Sequence, residues 1–429
     1  MLSFDDPAFL GSMVDPLWIV AGAAPIVDLP LARNRSLTDV ISGQNLIPFG
    51  RVGNGTYVDS DRILKTGGTN APLFDHDPAT GESLGLLAEG QFANLVTRSQ
   101  ELSDAAWNKL RITTTENAVI APDGTLSADR LTEDTANGTH TLTRSSGTTV
   151  AANTLHTGSV FVKAGERTVS RFAVFNNAFA NGARVNVDMV AGTAVIESTL
   201  GAATSVSTAI EAWPDGWFRV WLSLLIDNSS TQAQIQLLLR NASGQVVYTG
   251  DGSSGLFAWG FQLQAGSITS YAPTTNSAVT RNADFADLID AAIANNIRTL
   301  YLEFRSPAVG TRGVASLNDN TANERASVIT SGTDPRLVVV DGGVQQANIN
   351  GGTITAGTRT RVAVRIGAND FAMSVNGGAV VTDTSGTLPT VNRLMLGRTQ
   401  AGEWLNGRLA RVTGWSELLP DATMQALSQ

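Results

Sequence analysis

The sequence predicts a mainly β protein, with an extended N-terminal arm followed by two antiparallel β-sandwich (jelly-roll) domains. Three observations predict it. Gly is abundant, at 42 of 429 residues, and only 16% of residues are charged, which suits many short strands joined by turns better than long surface helices. Apolar and polar residues alternate in repeated runs, the period of a half-buried strand. Asp-Gly and Asn-Gly pairs, with the conformational freedom that tight hairpin turns need, punctuate those runs.

Residues 1–90 are rich in Pro, Gly and Asp and have no sustained helical or strand period. They read as an extended arm that depends on neighbours for order. Phe4, Phe9, Leu10, Leu17, Trp18, Ile19 and Val20 are too many apolar residues for a free tail. The arm therefore either packs on another subunit or wraps a domain of its own chain. Residues 91–285 carry the alternation. In Arg184-Val185-Asn186-Val187-Asp188-Met189 the apolar residues share one face, and Val220, Leu222, Leu224 and Ile226 share a face opposite Trp221, Ser223 and Asp227. Asp215-Gly216 and Asp251-Gly252 supply turns between such runs, and several strands at this spacing make a two-sheet sandwich. Over 286–296 apolar residues fall at helical spacing, predicting a short connector helix. A second sandwich is expected over 297–429, from Leu337–Val340 before the Asp341-Gly342-Gly343 turn, Arg361–Ile366, and Phe371–Val375 running into Asn376-Gly377.

The formal net charge of −9 repels a phosphate backbone, and no basic stripe offsets it, so nucleic acid is not an expected partner. With no Cys, disulfides and thiolate metal sites are excluded and stability must come from burial and subunit contacts. The first twenty residues hold three Asp and no Lys or Arg, the wrong leading segment for secretion. The apolar run Leu17–Ala24, bounded by Pro16 and Pro25, is far short of the roughly 20 residues that span a bilayer, so no membrane insertion is expected.

Two cassettes flank the middle region. Phe74-Asp75-His76-Asp77-Pro78-Ala79-Thr80-Gly81-Glu82-Ser83-Leu84-Gly85-Leu86-Leu87 leads to Asn94-Leu95-Val96-Thr97-Arg98-Ser99. Trp259-Gly260-Phe261-Gln262-Leu263-Gln264-Ala265-Gly266-Ser267 runs on to Ser270-Tyr271-Ala272-Pro273-Thr274-Thr275-Asn276 and Arg281. Between them lie Ala121–Thr125, Ser159–Arg167 and Asp215–Val220. As a set, over about 50–285, these resemble bacteriophage tail-fibre and head-fibre virion proteins, in which a carbohydrate-binding-module-like jelly roll lies between such landmarks. Residues 297–429 resemble the concanavalin-A-like, laminin-G-type sandwich, on Ser374-Val375-Asn376-Gly377, Leu394–Arg398, Leu405–Val412 and Leu418-Leu419. The resemblance implies a virion location, with host cytoplasm only during assembly, an arm that anchors to other virion proteins of tail, baseplate or capsid, and a homotrimer.

The chain offers no convincing reaction centre. Gly81-Glu82-Ser83-Leu84-Gly85 fits the serine-hydrolase elbow pattern, but a strand-to-helix turn is not expected there. His76 lies between Asp75 and Asp77 and reads as a structural turn residue; no two His stand at i and i+4 as a helical zinc site requires. A calcium loop starting at Asp75 fails because Thr80 and Leu86 replace the required Gly and Glu. No catalytic residue, metal ligand or cofactor is expected, and the protein is read as a non-enzyme. Sugar binding would use exposed aromatic faces beside amides and carboxylates. The candidate ligand-binding residues are Trp213, Trp217, Trp221, Trp404 and Trp415, with Trp217 and Trp259 also fitting a core role and Trp404 and Trp415 the more open positions. The expected function is a virion structural and adhesion protein, a tail fibre or related fibre, that contacts host surface polysaccharide. The alternatives are a head-decoration or baseplate adaptor protein without ligand, and a virion-associated glycan depolymerase.

Overall fold

The computed structural model describes residues 16–176, 179–226 and 231–429. Within it the chain is mainly β, and four large sheets, all antiparallel, form two sandwiches. In the middle sandwich one six-stranded sheet runs Thr204–Ala212, Trp217–Leu225, Leu155–Ala164, Gly255–Ala265, Leu126–Glu133, Ile112–Ile120. The opposing six-stranded sheet is centred on Val169–Asn176, between Gly182–Asp188 and Thr231–Leu239. The alternation seen in the sequence places the side chains. Val185 and Val187 are fully buried with Val220, Leu222, Leu224, Phe172 and Val174 in one core, while Arg184 and Asn186 turn outward. Asp227 lies outside the described residues. The predicted turn at Asp215-Gly216 is present, with φ of 57° and 77°, the left-handed conformations that make Asp-Gly favourable there.

The second sandwich is not confined to 297–429. Its eight-stranded sheet includes Thr299–Arg305, Arg359–Gly367, Asp370–Val375 and Gly407–Trp415, but also Val27–Leu29, Phe74–His76 and Ser83–Ala88. Val27–Leu29 pairs with Val412–Gly414, and Leu86–Ala88 pairs with Gly407–Leu409. In the facing seven-stranded sheet Phe49–Gly50 pairs with Phe285 and Ala286. The expectation of an extended arm over 1–90 is corrected for its described part. Val27, Leu29, Leu31, Leu37, Ile47 and Leu86 are buried in the same core as Leu302, Val364 and Val412. The reason is charge as well as apolar burial. Asp28, with no exposure, receives Arg411 at 2.6 Å and the Thr413 hydroxyl at 2.8 Å. A buried carboxylate needs such partners. Leu17 packs partly buried beside Ala21, and Trp18 donates from Nε1 to Asp28 (3.0 Å), while Ile19 and Val20 are exposed. Phe4, Phe9 and Leu10 lie outside the described residues.

The connector is also different from the helix expected over 286–296. Phe285–Leu288 is a strand of the seven-stranded sheet, and only Ala291–Ala294 is helical, capped by the Asp290 carboxylate on the Ala292 and Ile293 amides. The middle sandwich is thus an insertion in the other: the chain leaves the outer sandwich after Ala88 and returns to it at Phe285.

The two cassettes meet at this crossing. Asn94 donates from Nδ2 to the carbonyls of Phe261 (3.0 Å) and Ala272 (2.8 Å) and accepts from the Leu263 amide (3.1 Å). Val279–Arg281 pairs with Phe92–Asn94. Above the crossing, Val58 and Leu64 pack with Phe161, Trp213, Trp217, Trp259 and Tyr271 in a separate buried cluster. The landmark residues are therefore the root by which one sandwich is set into the other.

A buried histidine gives the middle sandwich a pH dependence. His156 is 1% exposed and its Nδ1 donates to the Thr154 carbonyl at 2.8 Å, so a second proton must go on Nε2. Burial, partly opposed by that hydrogen bond, holds its pKa below the ordinary 6.5. Below pH 6.5 the unfolded chain takes up a proton that the folded chain refuses, so stability falls as pH falls through this window. We expect denaturant unfolding followed from pH 7 to pH 5 to lose up to about 1.4 kcal/mol per pH unit from this source, and His156→Gln to flatten the slope.

Candidate functional site

The structure separates the five candidate tryptophans. Trp213 and Trp217 are buried in the junction cluster, with Nε1 hydrogen bonds to Glu211 (2.9 Å) and to the Ile120 carbonyl (3.0 Å). Trp217 and Trp221 do share a face of one strand, but the buried Trp217 leaves no platform; Trp221 is half-buried. Trp415, expected to be open, is fully buried against Tyr301, Met424 and Leu427, and donates from Nε1 to the Ala23 carbonyl (3.1 Å). The closing helix Asp421–Leu427 and the N-terminal segment cover it. Trp404 alone of the five opens into a cleft.

That cleft, of about 750 Å³, lies where the chain crosses between the sandwiches. Trp404 and Phe285 form its aromatic walls, with ring centroids 6.1 Å apart and planes at 85°. Trp404 is held by an Nε1 bond to the Asp284 carbonyl (3.2 Å) and by an isolated bridge to Arg398. Gly90 lies against its ring: a Cβ there would sit 3.2 Å from Trp404 Cγ, so a side chain would crowd the indole. Phe285 is 45% exposed, and its other neighbour is the Arg398 guanidinium, 4.8 Å from the ring centroid and paired with Asp287 at 2.5 Å. The amides of Asn70, Asn282 and Asn406 also line the cleft. Asn282 donates to the Val52 carbonyl (3.0 Å) and Asn406 accepts from the Gly90 amide (2.8 Å), so both amides are oriented.

Beneath the cleft is a buried ionic floor. Asp284 takes Arg51 at 3.1 Å and Arg281 at 2.7 Å, and Arg281 also reaches Glu89 at 3.2 Å; all four side chains are at most 2% exposed. Glu89 accepts from the amide and hydroxyl of Ser270 (2.6 and 2.7 Å). Burial pushes the Asp284 carboxyl up, against the pull of Arg281, while Glu89 and Asp284 overcome the burial of Arg281 and raise its guanidinium. The cleft therefore has a rigid, pre-formed base, the condition for binding without costly reorganisation.

Other chemistry considered in the sequence is arranged for structure. Ser83 begins the strand Ser83–Ala88, not a strand-to-helix turn, and its Oγ has no hydrogen-bond partner among the described residues; His76 Nδ1 is engaged by the Val58 carbonyl (3.0 Å). Gly85, the last residue of that pattern, has φ +95° and a Cβ there would fall 2.0 Å from the Leu409 carbonyl. Its role is close approach of two strands. Asp75 pairs with Arg408 (2.7 Å) and Asp77 accepts the Ala79 and Thr80 amides, so both carboxylates serve the fold. Among the described residues no group of three or more His, Asp or Glu side chains is placed to hold a metal ion.

No family model and no curated protein matches this chain. Among solved structures, the chain is similar to the CBM40 module of the Ruminococcus gnavus IT-sialidase bound to α2,3-sialyllactose, at 14% identity over 32% of this chain and 85% of that one, with a TM-score of 0.29. Domain 4 of the GH43 extracellular arabinanase AbnA from Geobacillus stearothermophilus, in complex with arabinotriose, gives 18% identity over 38% and 82%, with a TM-score of 0.29. Domains LG4-5 of the mouse laminin α1 chain give 9% identity over 61% and 82%, with a TM-score of 0.24. Likenesses this remote carry no argument about function, and the site stands on its own geometry.

Proposed function

We propose that this protein is a structural and adhesion component of a bacteriophage particle, a tail fibre or related fibre, and that it contacts host surface polysaccharide through the junction cleft. The observation that carries the glycan reading is that Trp404 and Phe285 line one cleft together with oriented amides above a buried ionic floor. An indole and a phenyl ring pack against the apolar face of a pyranose, and the amides take its hydroxyls. The virion reading is supported by the cassettes at 74–99 and 259–281, and a homotrimer that binds other virion proteins through N-terminal residues follows from the same resemblance.

Binding without cleavage fits the lining. Glu403 is the one carboxylate among the residues that line the cleft, and it accepts from the Thr399 hydroxyl (2.7 Å), whereas glycoside hydrolysis ordinarily needs two carboxylates across the sugar. Trp404→Ala is expected to weaken binding of host polysaccharide about 10- to 100-fold in a biosensor titration, the loss of roughly 1.4–2.7 kcal/mol of ring contact, with the melting temperature nearly unchanged. Unaltered binding would remove the cleft from consideration and favour an adaptor without ligand. Release of reducing ends from the polysaccharide would instead identify a depolymerase. Immunogold electron microscopy of particles from an infected host tests the virion assignment: label absent from every particle rejects it.

A further inference from the structure

The cations around the cleft are answered at every position but one, and the Glu403 carboxylate on the same wall has a hydrogen bond but no ion pair among the described residues. Arg51 is paired with Asp284 and Arg398 with Asp287, and Glu403 is held by Thr399. Arg312, at the start of the strand Arg312–Asn318 and on the cleft wall, makes no side-chain hydrogen bond or ion pair with any described residue. Its Nε is shut away from solvent with no acceptor. Arg51, Arg240, Arg281, Arg336 and Arg361 also have an enclosed Nε, but each lies in an ion pair with a carboxylate, and Arg219, away from the cleft lining, donates to the Ser159 hydroxyl. Burial lowers the Arg312 pKa with no carboxylate opposing it.

The position of Arg312 relative to the aromatic wall is fixed by its neighbour. A Cβ at Gly313 would stand 2.5 Å from the Glu403 carbonyl and 2.7 Å from the Thr399 amide, so the strand that carries Arg312 is pressed directly on the loop that carries Trp404. A half-buried guanidinium without a counter-charge is poorly solvated and poorly paired. With Nε enclosed, its two terminal nitrogens are the donors left to meet the two oxygens of a carboxylate.

We propose that the cleft selects a glycan bearing a carboxylate, a uronic or other acidic sugar, with the acid group on Arg312 and the ring against Trp404. This rests on the reading of the cleft as a glycan site. The cleft offers one unanswered cation, which suits a single negative charge per bound sugar.

The test uses the full chain and a panel of acidic bacterial capsular polysaccharides, each in native and carboxyl-reduced form, titrated by calorimetry. Reduction of the carboxyl groups is expected to weaken binding at least 10-fold. Arg312→Gln is expected to bind native and reduced forms equally, at the level of wild type on the reduced form, and Arg312→Lys to recover part of the difference. Because the side chain has no partner in the fold, Arg312→Gln should melt at or above the wild-type temperature. If reduction and Arg312→Gln both leave affinity within twofold while Trp404→Ala abolishes it, the acidic-sugar inference fails and the glycan site stands. If Trp404→Ala also changes nothing, or no polysaccharide of the panel binds, the glycan site itself fails and the inference with it.

Discussion

Removal of residues 1–88 is expected to unfold the outer sandwich while sparing the inserted one. The deletion takes Val27–Leu29, Phe74–His76 and Ser83–Ala88 from the eight-stranded sheet and Phe49–Gly50 from the seven-stranded sheet. It strips Val27, Leu29, Leu31, Leu37, Ile47 and Leu86 from the core, all at most 4% exposed. Each fully buried aliphatic contributes about 1.5–3 kcal/mol, so six of them rival the whole stability of a domain, about 5–15 kcal/mol. The loss also strands Arg411, which faces Asp28, and Arg408, which faces Asp75. The main core of the inserted sandwich, from Val96 to Leu263, contains no residue of the deleted segment, and the deletion takes only Val58 and Leu64 from the smaller junction cluster at its root. We therefore expect the truncated chain to be cleaved rapidly by protease from about residue 285 onward, while a fragment spanning about 91–284 resists. A truncated chain whose outer sandwich stays protected and melts cooperatively would show that the N-terminal strands are dispensable, as an independent arm would be.

What the sequence made legible is what lies within one hairpin. The alternation at 184–189 and 220–226 orients whole strands because side chains on a strand alternate faces, and Asn376-Gly377, with φ of 49° and 73°, forms the turn its composition predicts. What it concealed is pairing across distance. Nothing local in Val27-Asp28-Leu29 marks a partner at Val412–Gly414. A three-residue strand gives no period to read, and the Asp at its centre interrupts the apolar pattern because its partner Arg411 lies far along the chain. Phe285–Leu288 shows the converse error: a short apolar run read as helix is a strand, an ambiguity that spacing alone does not resolve.

The site was legible only in part for the same reason. Trp404 stood out as a residue type suited to sugar, but Trp415 looked equally open until the helix Asp421–Leu427 was seen to cover it. Phe285, Arg312 and Gly90 had no signal of their own, since a cleft assembled from segments near 50, 70, 90, 283, 312 and 404 has no sequence motif. The Asn-Ala-Asp-Phe run at 282–285 does pack three cleft functions into four residues: an oriented amide, the anion of the ionic floor and an aromatic wall. Such density of polar and aromatic residues at a domain boundary is a usable cue, because a mere linker needs neither.

Asp284→Leu should be the most damaging single substitution at the junction. The side chain is 2% exposed and is the only carboxylate among the described residues paired with Arg51, whose other side-chain hydrogen bonds go to the Gly67, Gly68 and Ala71 carbonyls at 3.5, 2.8 and 3.0 Å. Removing it leaves that guanidinium buried without a counter-ion and takes from Arg281 one of its two partners. Breaking one side of a buried pair costs about 3–5 kcal/mol, because the surviving charge stays desolvated. In a domain of this size that lowers the melting temperature by roughly 10 °C, measurable by calorimetry. By contrast, Glu197→Gln, which removes the partner of Arg171 and Arg240 at a carboxylate that is 30% exposed, should cost about 1 kcal/mol or less. The double replacement of Arg51 by Met and Asp284 by Leu should recover part of the loss, since an apolar pair carries no desolvated charge. Glycan affinity should not recover with it: Asn70, Asn282 and Trp404 are all positioned by backbone next to this cluster, so a repacked floor restores stability before it restores the geometry of the walls. Equal melting temperatures for Asp284→Leu and Glu197→Gln would show that the ionic floor contributes no more than a surface pair and that the junction is held by its apolar cluster alone.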